Sequence, residues 1–204
     1  MASAMRESRI EALSYWVVSD HFEELGRPPA LMHGGFGLRT VGELRKPRWW
    51  ALALLERLGP TEVATELRGD GAGALVEALA TTDAGGTVSV LAWNLTLDQT
   101  KASGSPELSR RVRLEVRGLG AGAAYRLHHD RVDDDHSDIA AVWGRLREDG
   151  QDWPTEEQWA ALREADRLEE LEPDRELHAD AEGIVAVECE LPMPSMSLVT
   201  LTHG

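Results

Sequence analysis

The hydrophobic pattern of the chain changes near residue 60. Before that point apolar residues come in dense runs or at helical spacing. Residues 10–18, "IEALSYWVV", are mostly apolar, aromatic or β-branched and predict a strand buried on both faces. Residues 19–45 are rich in breakers, with "GRPPA" and "HGGFG", and predict a loop. "KPRWWALALLERLG" then predicts a helix over 46–58. Pro47 suits its first turn, Trp50, Ala53, Leu54 and Leu58 share one face, and Gly59-Pro60 stops it. Beyond residue 60 the period falls to two. "RRVRLEVRG" sets Val112, Leu114 and Val116 against Arg111, Arg113, Glu115 and Arg117, and "GIVAVECEL" groups Val185, Val187, Cys189 and Leu191. "GTVSVLAWNL", "GAAYRLHHD" and "SMSLVTLT" are also strand-like, and the turn residues between such segments predict an antiparallel sandwich. Two helices interrupt it. One, near 138–148, follows a cap near Ser137 and carries Ile139, Val142, Trp143 and Leu146. The other, near 155–169, opens on a Thr155–Gln158 capping box and carries Trp159 and Leu162.

The predicted class is therefore α+β, mainly β, divided into residues 1–59 and 60–204. The first part has one strand, which cannot make a sheet alone, so it is expected to belong to something larger. A formal net charge of −15 argues against nucleic acid and anionic membrane surfaces as partners. No apolar run reaches membrane-spanning length, and the N-terminus lacks a signal-peptide pattern, so a cytoplasmic location is expected. A single cysteine, Cys189, leaves no internal disulfide and no cysteine-rich zinc site, and its alternation with Val185 and Val187 makes it a core thiol.

The block "ALSYWVVSDHFEELGRPP…HGGFGL…RKPRWWALALLERLG" closely resembles the end of the catalytic barrel in glycoside hydrolase family 39, which contains β-xylosidases and α-L-iduronidases. The resemblance is closer to the β-xylosidase branch and continues through "DDDHSDIAAVWG", "WPTEEQWAALREA" and "LPMPSMSLVTL". It implies that residues 1–59 are the last strand–loop–helix unit of a (β/α)8 barrel, with the antiparallel β-sandwich and its helical insertion following. It also implies a sugar subsite where that strand ends, since such barrels place their sites at the C-terminal ends of strands. Trp16 would offer an apolar face, and Glu23 and Glu24 would accept hydrogen bonds from sugar hydroxyls, with Asp20 and Phe22 nearby. The implied ligand is a xylose-containing oligosaccharide or β-xyloside, with no cofactor and no metal. The implied protein partner is a second copy or an N-terminal barrel portion.

The same resemblance exposes a gap. The family's acid/base glutamate follows an asparagine and precedes a proline, whereas the single asparagine here, Asn94, is followed by Leu95. The nucleophile's Glu-Trp context does not occur either. Retaining hydrolysis needs two carboxyl groups about 5–5.5 Å apart, and Glu23 and Glu24 match the binding pair. The expectation is a chain without catalytic residues, inactive alone. Two alternatives remain. One is a non-catalytic accessory or sugar-binding sandwich module. The other is an α-L-iduronidase-like enzyme, for which Arg27 or Arg39 would meet a substrate carboxylate. "HHDRVDDDHSD" holds His128, His129 and His136 among five aspartates, but its spacing matches neither a zinc motif nor an EF-hand. It reads as a polar turn before a helix. "HGGFG" lacks the ending of a phosphate loop and reads as a tight rim loop in which His33 packs locally.

Overall fold

The computed structural model describes residues 12, 14–21, 26, 28–101 and 103–204. The protein is α+β and mainly β, with antiparallel sheets. Contacts divide it into two compact units, Met1–Trp49 with Asp138–Arg167 and Trp50–Ser137 with Leu168–Gly204. The sequence places its boundary near residue 60 and the helical insertion with the sandwich. By packing, the insertion groups with the N-terminal segment.

Helix α1 (Pro47–Glu56) starts on its proline, and Trp50 and Leu54 are its buried residues. In the second unit the strands are β1 (Thr61–Val63), β2 (Val76–Thr82), β3 (Val88–Asn94), β4 (Arg110–Arg117) and β5 (Ala124–Val132). Helices α2 (Ile139–Leu146) and α3 (Glu156–Ala165) follow in the first unit, and β6 (Glu169–Glu170), β7 (Arg175–His178), β8 (Ile184–Leu191) and β9 (Ser195–His203) complete the second. One sheet has the order β1-β2-β3-β9-β5-β6 with β7 also on β5, and β4 and β8 form a second. Period-two alternation supplies the inner faces. Val185 and Val187 of β8 pack with Tyr125, Leu127, Val199 and Leu201 of the larger sheet. Leu191 does the same with Val76, Ala78 and Ala92. The outward residues of β4 are charged, and two of them pair with β8, Arg111 and Arg113 both lying 2.9 Å from Glu188.

The core of the first unit is Leu31, Leu44, Ile139, Trp143 and Leu162, so α2 and α3 close over the 28–46 segment. Thr155 caps α3 through the reciprocal bonds with Gln158. The cap of α2, expected near Ser137, is its neighbour Asp138, whose carboxylate accepts from Ala140 and Ala141. Ser137 is occupied elsewhere, donating to the Arg131 carbonyl and accepting from the Glu169 N–H.

The strand expected over 10–18 is absent from the part described. Residues 12 and 14–18 hold no strand, and Trp16 is 67% and Val18 51% exposed. Residues 10, 11 and 13 lie outside the described set. An apolar segment forms a strand only where a neighbour satisfies its backbone groups. Here Val17 and Val18 instead give their carbonyls to the N–H groups of Leu38 and Arg39.

Candidate functional site

Of the five residues that the resemblance singles out, Trp16 and Asp20 are described, and Phe22, Glu23 and Glu24 lie outside the described residues. Trp16 presents an exposed ring, with the Phe36 ring 6.0 Å away and tilted by 50°. The neighbouring Tyr15 hydroxyl donates to the Phe36 carbonyl at 2.8 Å and accepts from Arg48, whose guanidinium also lies 5.6 Å above the Tyr15 ring. These bonds fix Phe36 beside Trp16 and leave both rings open on one side.

Asp20 sits differently from the expectation that it faces a ligand. Its side chain is 0% exposed. One oxygen accepts the Gly37 N–H at 2.9 Å, and the other lies 2.5 Å from Lys46 Nζ, an ammonium that also donates to the Gly35 carbonyl at 2.9 Å. This explains the glycines of "HGGFG". A Cβ at Gly35 would lie 2.6 Å from the Asp20 carboxylate, and one at Gly37 2.5 Å from its backbone N. Asp20 therefore anchors the loop from within and has no surface for a sugar. His33 packs locally, its Nδ1 3.1 Å from the Ala30 carbonyl. Arg39 lies 4.2 Å over the Trp49 ring and is bonded to Glu43 at 2.9 Å. Arg27 is outside the described residues.

The histidine-rich stretch divides into three environments in the second unit. His129 is fully buried against Ser197, and burial together with the nearby Arg131 charge lowers its pKa to about 4, so it is neutral at pH 7. His136 is held by Asp133, which also accepts two backbone N–H groups of the turn. His128 lies between acids, 2.7 Å from Asp174 and 3.2 Å from Asp130. Burial opposes its charged form, but hydrogen bonds and charge from Asp174 and Asp130 outweigh burial and raise its pKa. A cavity of about 420 Å³ opens here, lined among others by Arg57, Ser89, His128, Asp130 and Thr200. Asp174, 46 positions from His128 along the chain, and Glu170 come from the acid-rich segment 169–176, so local spacing could not have joined them to His128. Cys189 is half-buried, and burial pushes its thiol pKa up. Among the described residues no helix is long and apolar enough to cross a membrane.

An α+β chain that sets Trp16 beside Phe36 of a glycine-rich loop is placed beside known proteins by its sequence as well as its fold. Residues 3–180 match the family described as Glycosyl hydrolases family 39, and the chain belongs to that family. It is 34% identical over 107 residues to a β-xylosidase of Geobacillus stearothermophilus, an alignment covering 52% of this chain and 18% of that protein. A monomeric β-xylosidase from Caulobacter crescentus CB15 superposes with a TM-score of 0.71 at 26% identity, over 98% of this chain and 39% of that one. The GH39 enzyme from Xanthomonas axonopodis pv. citri superposes with a TM-score of 0.76 at 24% identity, with the same two coverages, and shows likeness of fold alone. The chain thus spans well under half the length of these relatives.

Proposed function

We propose that this chain is the C-terminal portion of a retaining, β-xylosidase-like glycoside hydrolase, and that it contributes sugar-binding residues and no catalytic carboxylate. In this reading residues 1–59 end the (β/α)8 barrel and residues 60–204 form a buttressing β-sandwich with its helical insertion. The observation that carries it is Trp16, a large apolar ring left 67% exposed beside Phe36 on the loop where the family resemblance places the sugar. An exposed aromatic face suits the apolar side of a pyranose, and the carboxylates of Glu23 and Glu24 supply acceptors for its hydroxyls. Phe22 belongs to the same segment. Asp20 contributes indirectly, by holding the loop in place.

Hydrolysis with retention requires a second carboxyl group about 5–5.5 Å from the first, across the scissile bond. The single asparagine precedes leucine, so the acid/base motif has no counterpart in this sequence. The purified chain is therefore expected to leave aryl β-xylosides intact. In an enzyme where this segment completes a barrel, Glu23→Ala is expected to lower kcat/KM by on the order of ten- to a hundred-fold, because a hydrogen bond to a charged group contributes about 1.5–3 kcal/mol. Turnover by the isolated chain that Glu23→Gln abolishes would refute the assignment, as would unchanged kinetics in the intact enzyme.

A further inference from the structure

The edge of β5 is covered by two short strands with a break between them. β6 pairs at Asp130 and Arg131, β7 pairs from Ala124 to Leu127, and between them residues 171–174 arch past His128 and His129. The Leu171 N–H donates to the His129 carbonyl at 2.8 Å and pins the start of the arch. Alternation puts His128 and Asp130 on one face of β5. The register sets Glu170 opposite Asp130, and Asp174 returns immediately before Arg175, the partner of Leu127. One imidazole and three carboxylates converge as a result.

Their geometry separates the two ring nitrogens of His128. Nε2 lies 3.2 Å from Asp130, a 4%-exposed carboxylate whose other oxygen is held by Arg57 at 2.6 Å. Nε2–H donates there, and Nδ1–H donates to Asp174 Oδ1 at 2.7 Å with Glu170 Oε1 3.8 Å away, so an ion at Nδ1 would take the place of that proton. The ligand atoms of His128, Glu170 and Asp174 all lie within 4.8 Å of one another. In a tetrahedral site with bonds of about 2.0–2.2 Å, neighbouring ligand atoms are roughly 3.3 Å apart. The two separations from His128 bracket that value, and side-chain shifts would bring all three ligand atoms to it. A carboxylate on the far nitrogen is also the arrangement that orients metal-bound histidines.

We propose that His128 Nδ1, Asp174 and Glu170 bind a divalent first-row transition ion of the zinc type, with Asp130 orienting the imidazole and water completing the coordination. One imidazole nitrogen with two carboxylate oxygens suits such ions better than calcium or magnesium, which favour all-oxygen shells. Arg126 engages the other oxygen of Asp174, at 2.6 Å, so Oδ1, which meets only the His128 ring among these groups, is the oxygen that would turn to the ion. Bound there, the ion ties the 171–174 arch to β5, independently of any glycosidase role.

The test is titration of the metal-free full chain with Co2+, followed by visible absorption, then displacement by Zn2+. One equivalent is expected to bind with a ligand-field band that Zn2+ removes. His128→Ala is expected to abolish the band. Glu170→Gln, at a residue whose side chain is half exposed and whose loss the fold should tolerate, is expected to weaken binding at least tenfold. His136→Ala, on a ring held by Asp133, is expected to bind as the parent does. Absence of binding, or equal Co2+ affinity in the parent and Glu170→Gln, would overturn the proposal.

Discussion

A carboxylate enclosed away from water persists only when opposite charge and hydrogen bonds replace its hydration, and Asp20 meets both needs through Lys46 and Gly37. Removing one member of such a pair leaves the other without compensation. Asp20→Ala is expected to destabilise the chain by about 3 kcal/mol, the low end for a broken buried ion pair because Lys46 keeps 15% exposure through which water can reach it. Urea unfolding measures this, and a change below about 1 kcal/mol would show that the pair is not an anchor. The acid itself is legible in the sequence, as is the glycine-rich loop. What is not legible is that the two meet, because Lys46, the third member, belongs to the start of a helix and carries no local signal. The binding role proposed for Glu23 and Glu24 rests on family resemblance alone.

At the scale of elements, legibility follows how many faces a segment buries. β4 exposes every second residue, so its alternation shows in the sequence. α3 shows its capping box and its acidic first turn. β2 reads "VEALATT", built largely from helix formers, and its burial extends over both faces, which erases the alternation. Its strand character comes from pairing with β3 along seven positions, a tertiary effect that outweighs propensity. β6 and β7 are too short to show any period. The first-unit helices also depend on one close approach. A Cβ at Gly42 would lie 2.2 Å from the Trp159 ring. Gly42→Ala is therefore expected to cost about 1–3 kcal/mol through overpacking. Thr155→Ala, which removes the α3 cap, is expected to cost about 1 kcal/mol. Thermal unfolding of the two variants should rank them in that order. The reverse order would mean that the loop bearing Gly42 yields to the added methyl group.

For the chain as a whole, hydrogen-bond support is distributed unevenly, and amide exchange should follow it. In the second unit β3 and β9 are bonded on both sides, whereas β1 and β6 are the ends of the sheet order. Leu91 and Ala92 of β3 pair with Leu198 and Ser197 of β9, and all four are at most 2% exposed. Opening them requires separating strands across the middle of the core, so their amides should exchange only through large-scale unfolding. In the first unit the segment 14–18 stands at the other extreme. Its described residues form no strand, and Trp16 and Val18 are exposed. Fast exchange is therefore expected over 14–18, slow exchange at Leu91, Ala92, Ser197 and Leu198, and intermediate exchange in the short capped helix α3. The Asp20 N–H, bonded to the Arg39 carbonyl at 2.9 Å in a buried position, should be slower than its neighbours in the same loop. Protection over 14–18 as strong as that in β9 would mean that this apolar segment finds strand partners in solution. It would then behave as the buried strand that its sequence suggests.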